Sequence, residues 1–225
     1  PIDWQQLHVV VNNKCLCAGG FAGLYSAASR GRFTADCDPA SACHCSDMHE
    51  IITKDIAARF ERDSYVILEN ALSQAEVEAA HRDVSLLLTN GTMRPNPQEE
   101  KWKNKRDDDI ALIGIAHLGD RMAGLRRAIE MVRAVPYALQ QWKNCEADVE
   151  VPREVMLACY DGSESRPAKH QAHRDNAPVP GTPGENAREI TVLCYLNKEW
   201  RTEWGGQLRC HPHAEISDQV RLLQL

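Results

Sequence analysis

The sequence predicts an α+β fold, a sheet sandwich or barrel braced by helices. Three observations carry that expectation. Helical periodicity is concentrated between residues 47 and 136. Strand-like apolar runs dominate the last third, separated by Pro- and Gly-rich turns. Hydrophobic residues make up 43% and charged residues 26% of 225, the balance of a chain that can bury a core rather than a disordered or fibrous one.

The elements follow in order. Residues 1–46 are the least periodic part: Leu7–Val11 is a short apolar run, and Gly and Ala then dominate as far as Gly31. From Asp47 the pattern sharpens. Ile52, Ile56 and Phe60 recur every fourth residue, as one helical face does. Tyr65–Leu68 suits a strand. Ser73 and Glu76 have capping-box spacing, and Val77, Ala80, Val84 and Leu87 follow on one face, with Gly91 as a stop. Residues 91–109 read as a polar, charged loop and Ile110–Ile115 as a strand. Met122, Leu125, Ile129 and Val132 outline a helix expected to end near Pro136. Glu154–Tyr160, Arg188–Asn197, Gln207–Arg209 and Val220–Leu225 read as strands. The second of these is apolar on both faces and is therefore expected to be central.

Charge and composition exclude several classes. The net charge of −6 lacks the basic excess of a dedicated nucleic-acid binder. No window reaches the ~18 uninterrupted apolar residues of a membrane helix. Nine cysteines cannot all pair within one chain, and Cys159 and Cys194 sit inside apolar runs, which suggests a reducing compartment, cytoplasmic or nuclear. The chain opens on Pro1 rather than methionine and reads as processed or as a fragment. Oligomeric state is not legible.

The chemistry concentrates between Val155 and Pro212. His173 and Asp175 stand at i and i+2, which on an extended chain places both side chains on one side. A neutral imidazole and a carboxylate so placed can grip one cation. With a second histidine they would form a facial triad, which suits non-haem Fe(II). Tyr160 closes an apolar strand ahead of them. The zincin H-E-x-x-H pattern is absent, which counts against a hydrolytic metalloenzyme, and the sequence has no G-x-S-x-G nucleophile elbow either.

The runs VMLACY, H-R-D-N, R-E-I-T-V-L-C-Y-L-N-K-E-W and G-G-Q-L-R together resemble the 2-oxoglutarate- and Fe(II)-dependent prolyl 4-hydroxylases. Gln207 and Leu208 after the paired glycines are most similar to the oxygen-sensing, hypoxia-inducible-factor branch. The close resemblance covers residues 154–210. A looser one reaches back to about residue 50 through R-D-D-D-I-A-L-I. It implies a double-stranded β-helix (jelly-roll) core over 47–225, braced by N-terminal helices, after a poorly defined Cys-containing segment at 1–46. It implies that His173 and Asp175 bind Fe(II), that Tyr160, Tyr195 and Leu208 line the 2-oxoglutarate pocket, and that Arg188 and Asn176 lie toward the substrate. The co-substrates are 2-oxoglutarate and O2, L-ascorbate is the implied reductant, and the implied partner is a protein or peptide containing proline. Hydroxyproline, succinate and CO2 would be the products.

The family pattern also calls for a later histidine and an arginine for the distal carboxylate of 2-oxoglutarate, and neither follows in this chain. Val220–Leu225 resembles the strand that precedes that histidine, so the last core strands are expected to be missing. His211 and His213 read as turn residues beside Pro212. A non-catalytic relative or truncated product that binds peptide or metal without turnover is the alternative. Cys15, Cys17, Cys37, Cys43, Cys45, His44 and His49 could hold zinc, though in a spacing unlike paired C-x2-C. The Pro/Gly-rich segment 177–187 reads either as a substrate-selecting loop or as a surface insertion.

Overall fold

The computed structural model describes residues 8–12, 23–30, 48, 50–96, 108–142, 149–160, 188–197, 208–210 and 221–222. The first helix, α1 (Lys54–Asp63), begins where the Thr53 hydroxyl accepts the Ile56 N–H. It ends at Ser64, whose left-handed backbone (φ 65°) lets its N–H reach the Phe60 carbonyl. Ile52 and Phe60 are fully buried and Ile56 packs beside them, as their spacing predicts. Strand β3 (Tyr65–Glu69) follows at once and buries Val66 and Leu68 on one face.

The second helix, α2 (Gln74–Thr89), opens on the predicted capping box. The Ser73 N–H donates to the Glu76 carboxylate at 2.7 Å, and the Glu76 N–H donates back to the Ser73 hydroxyl at 3.3 Å. The expected stripe of Val77, Ala80, Val84 and Leu87 is buried. Past the C-cap Asn90, Gly91 takes φ +74°, and the Thr92 and Met93 N–H groups donate to the Leu87 carbonyl.

Helix α3 (Ala123–Gln140) corrects one expectation. It does not stop near Pro136 but runs through it to Gln140. A proline there removes one helical hydrogen bond, a cost of ~3 kcal/mol or more in an unsupported helix. The apolar stripe continues past it, with Val135, Ala138 and Leu139 buried, and that packing outweighs the local loss. Trp142, just beyond the helix, donates its indole N–H to the Ile52 carbonyl at 2.7 Å and ties this end to the turn before α1.

The remaining strands are β1 (His8–Asn12), β2 (Gly23–Arg30), β4 (Arg94–Pro95), β5 (Asp108–Gly114), β6 (Val149–Glu150), β7 (Glu154–Tyr160), β8 (Arg188–Tyr195), β9 (Arg209–Cys210) and β10 (Arg221–Leu222). Eight of the ten form one sheet in the order β3-β1-β8-β2-β7-β5-β4, with β6 also paired to β2. Every pairing is antiparallel, and β9 and β10 form a separate ribbon. Helix α3 lies against β2 and β8, and α2 packs on α3. The core is formed by Leu157, Val192, Cys194 and Leu196 with Leu125, Ile129, Val132 and Leu139.

β8 is central, as its two apolar faces predict, but its neighbours are β1 and β2. The Gly/Ala-rich stretch without periodicity is thus a strand over Gly23–Arg30. Local propensity misses it because Gly, Ala and Ser carry little β preference, whereas backbone pairing on both sides holds it in the sheet. The described residues establish a mixed α+β architecture with one large antiparallel sheet. The two facing sheets of a jelly roll are not complete among them.

Candidate functional site

β7 and β8 do not pair with each other. Both pair with β2, so they run in the same direction. The register is explicit: Leu24 of β2 stands between Leu157 and Cys194, and Gly23 stands between Ala158 and Tyr195. Tyr160 is the last residue of β7 and Tyr195 the last of β8.

Strand alternation sorts the side chains. Val155, Leu157 and Cys159 of β7, with Ile190, Val192 and Cys194 of β8, belong to the core beneath α3. Met156, Ala158 and Tyr160, with Thr191, Leu193 and Tyr195, occupy the opposite face. Tyr160 and Tyr195 are therefore half-buried on one face at one end of the sheet. Only β2 separates their strands, a lateral distance of about 10 Å. Gly23 brings no side chain to the rung between Ala158 and Tyr195, and Tyr160 lies two residues further along β7.

β5 completes this corner. Asp108 is the Cα partner of Tyr160 across the β5–β7 ladder, so the two share a face. Asp108 is fully buried. The Asn96 side-chain amide donates to its carboxylate at 3.2 Å, and the Asn96 N–H donates to its backbone carbonyl at 3.0 Å. Sequence reading passed over Asp108, because it sits in a charged run that reads as a solvated loop. The available signal was its place at the head of an apolar strand.

The other expected site residues fall as follows. Leu208, just before β9, is buried. Arg188 opens β8 at the end away from Tyr195, its backbone paired with Ser29 beside a register shift. His173, Asp175 and Asn176 lie outside the described residues, as do segment 177–187, His211, His213 and the cysteine-rich positions 15–17 and 37–45. Among the described residues no group of three or more His, Cys, Asp or Glu is placed to hold a metal ion. Cys194 is no ligand: burial pushes its thiol up to about 12, so it stays protonated in the core. Among the described residues no helix is long and apolar enough to cross a membrane.

Both tyrosines lie within a stretch of chain that matches a known family. Residues 155–224 match the 2OG-Fe(II) oxygenase superfamily. The oxygenase-like segment begins in β7, takes in Tyr160, His173, Asp175, Asn176, Arg188, Tyr195 and Leu208, and reaches past β10. Asp108, α1, α2 and α3 lie ahead of it. No curated protein and no solved structure matches the chain.

The donor set of this oxygenase-like segment fits its implied metal. One imidazole and one carboxylate at i and i+2 are the ligand types that ferrous iron accepts while keeping positions open for other ligands. The tyrosines suit the co-substrate in the same way. A half-buried phenol can donate to a carboxylate while its ring excludes water.

Proposed function

We propose that this protein is an Fe(II)- and 2-oxoglutarate-dependent dioxygenase acting as a peptidyl prolyl 4-hydroxylase of the oxygen-sensing type. The observation that carries the reading is the oxygenase match over 155–224, which spans the H-x-D pair. The corner that sets Tyr160 and Tyr195 on one face supports it. The finer assignment rests on the resemblance of R-E-I-T-V-L-C-Y-L-N-K-E-W and G-G-Q-L-R to that branch.

In this reading His173 and Asp175 hold the iron, and the bound metal supplies oxidative decarboxylation of 2-oxoglutarate coupled to hydroxylation of a proline ring. The chain's own residues position and desolvate. Tyr160 and Tyr195 donate to and wall the co-substrate. Leu208 keeps an apolar surface against it. Arg188 and Asn176 face the peptide. Ascorbate keeps the iron ferrous between turnovers.

The test is a turnover assay on the full-length protein with Fe(II), 2-oxoglutarate, O2 and ascorbate, with and without a panel of proline-containing peptides. Iron-dependent succinate formation that rises with one peptide, together with a mass gain of one oxygen on its proline, supports the assignment. Succinate formed with no proline hydroxylated overturns the prolyl reading alone. An absence of iron-dependent 2-oxoglutarate binding overturns the oxygenase reading.

A further inference from the structure

We infer that Asp108 is a positioning residue for the co-substrate end of the site, acting through Tyr160; the inference rests on the dioxygenase reading above. Asp108 lies outside the oxygenase-like segment, on a strand that contributes none of the residues expected to bind metal or co-substrate.

Burying a carboxylate is costly unless hydrogen bonds compensate it. Asp108 is fully buried, and Asn96 grips it twice, by side chain and by backbone. That grip ties β4 to the first residue of β5, and Asp108 takes part in the β5–β7 ladder. The partner on that rung is Tyr160. Directly opposed residues on one face have Cβ atoms about 4.5–5.5 Å apart, so the stem of the tyrosine rests beside Asp108. Among the described residues Asp108 is the buried, anchored neighbour of Tyr160 across the β5–β7 ladder.

The chemistry on offer is therefore a fixed wall. Asn96 holds Asp108, Asp108 holds the base of Tyr160, and Tyr160 presents its ring and hydroxyl to 2-oxoglutarate. A purely structural Asp108 would change stability without a specific change in co-substrate affinity.

The experiment uses the full-length protein loaded anaerobically with Fe(II) and titrated with 2-oxoglutarate, beside a thermal melt. The variants are Asp108→Asn and Asn96→Ser, each alone and combined with Tyr160→Phe. The Asn96→Ser change removes the side-chain bond to Asp108 but leaves the Asn96 backbone bond, so it serves if Asp108→Asn folds poorly. The expected result is affinity weakened about tenfold by either single change, and by less than about twofold when Tyr160 is already Phe, because residues that act through one another are not additive. An equal loss in both backgrounds, or an unchanged affinity, overturns the inference while wild-type binding keeps the dioxygenase reading intact. If the iron-loaded wild type binds no 2-oxoglutarate, both fall together.

Discussion

The carboxylate of Asp83, in the third turn of α2, accepts the backbone N–H of Leu125 in the first turn of α3 at 2.8 Å. An acid from one helix thus caps another whose own N-cap, Met122, offers no side-chain acceptor. Asp83 is one of four buried polar or charged residues among those described, so its placement has a definite cost and a definite return.

Replacing Asp83 with Ala leaves the Leu125 N–H buried without that acceptor. The expected loss is about 1.5–3 kcal/mol, the range for hydrogen bonds to charged groups. Urea denaturation of the two proteins measures it, and a midpoint shift indistinguishable from zero would rule the cap out as a stabilising contact.

At Gly124, one residue earlier, α3 comes close to the backbone of α2. A Cβ built there would overlap the backbone of Ala79 and Ala80. On helix propensity alone Gly124→Ala should stabilise by ~1 kcal/mol. The close approach reverses the sign, and a net loss of about 1–3 kcal/mol is expected from forcing the helices apart. A higher melting temperature for the alanine variant would contradict this packing.

Glu76 links the capping box to α3 through an ion pair with Arg127 at 2.8 Å. Burial pushes its carboxyl up, but hydrogen bonds from Arg127 and Ser73 and the charge of Arg127 together outweigh that and hold it below the ordinary glutamate range. A depressed acid contributes stability that is fully present above its unfolded value and is lost as pH falls through its folded value. Wild type should therefore lose stability on acidification below the ordinary glutamate range, and Glu76→Gln should remove that part of the slope. The group is partly exposed, so the difference at neutral pH should stay within about 1 kcal/mol. Chemical denaturation at several acid pH values reads the slope directly.

Cys194 should resist alkylation in the folded protein. Its thiol is buried and pushed up to about 12, so almost none is thiolate at neutral pH. Mass spectrometry after a short iodoacetamide pulse should find Cys194 unmodified, then fully modified once denaturant is added. Modification before unfolding would show that the strand opens locally.

His173→Ala and Asp175→Ala each remove one of the two proposed iron ligands. Affinity for Fe(II) should fall by at least about tenfold in either variant, since even outer-shell partners of metal ligands can be worth that much. Calorimetry under anaerobic conditions measures it, and wild-type affinity in both variants would move the metal elsewhere.

The helices were legible because their signals are local. The Ser73–Glu76 pair and the Val77, Ala80, Val84, Leu87 stripe lie within a few turns of each other. The path of α3 through Pro136 was not, because the packing that outweighs the proline comes from elsewhere in the fold. β8 announced itself by being apolar on both faces, whereas β2 has a composition that says little, and only its partners make it a strand. The site divides in the same way. Tyr160 and Tyr195 stand out by their place at the ends of apolar runs. Asp108 becomes meaningful only through a register with a strand that begins at Glu154, which no short window contains.

The arrangement of β2 bears on how the chain is made. During synthesis β2 emerges long before its partners β6, β7 and β8, which come from Val149 onward, and β1 meets β3 early but β8 only late. The backbone groups of β2, and those of β1 that face β8, wait for these late strands while the helices have every local contact needed to form. Pairings so distant in sequence make folding slow and leave strand edges open to other chains meanwhile. The corner that aligns Tyr160 with Tyr195 is thus among the last parts of the molecule to assemble, and a nascent chain stalled before β8 would offer two hungry edges to any chaperone within reach.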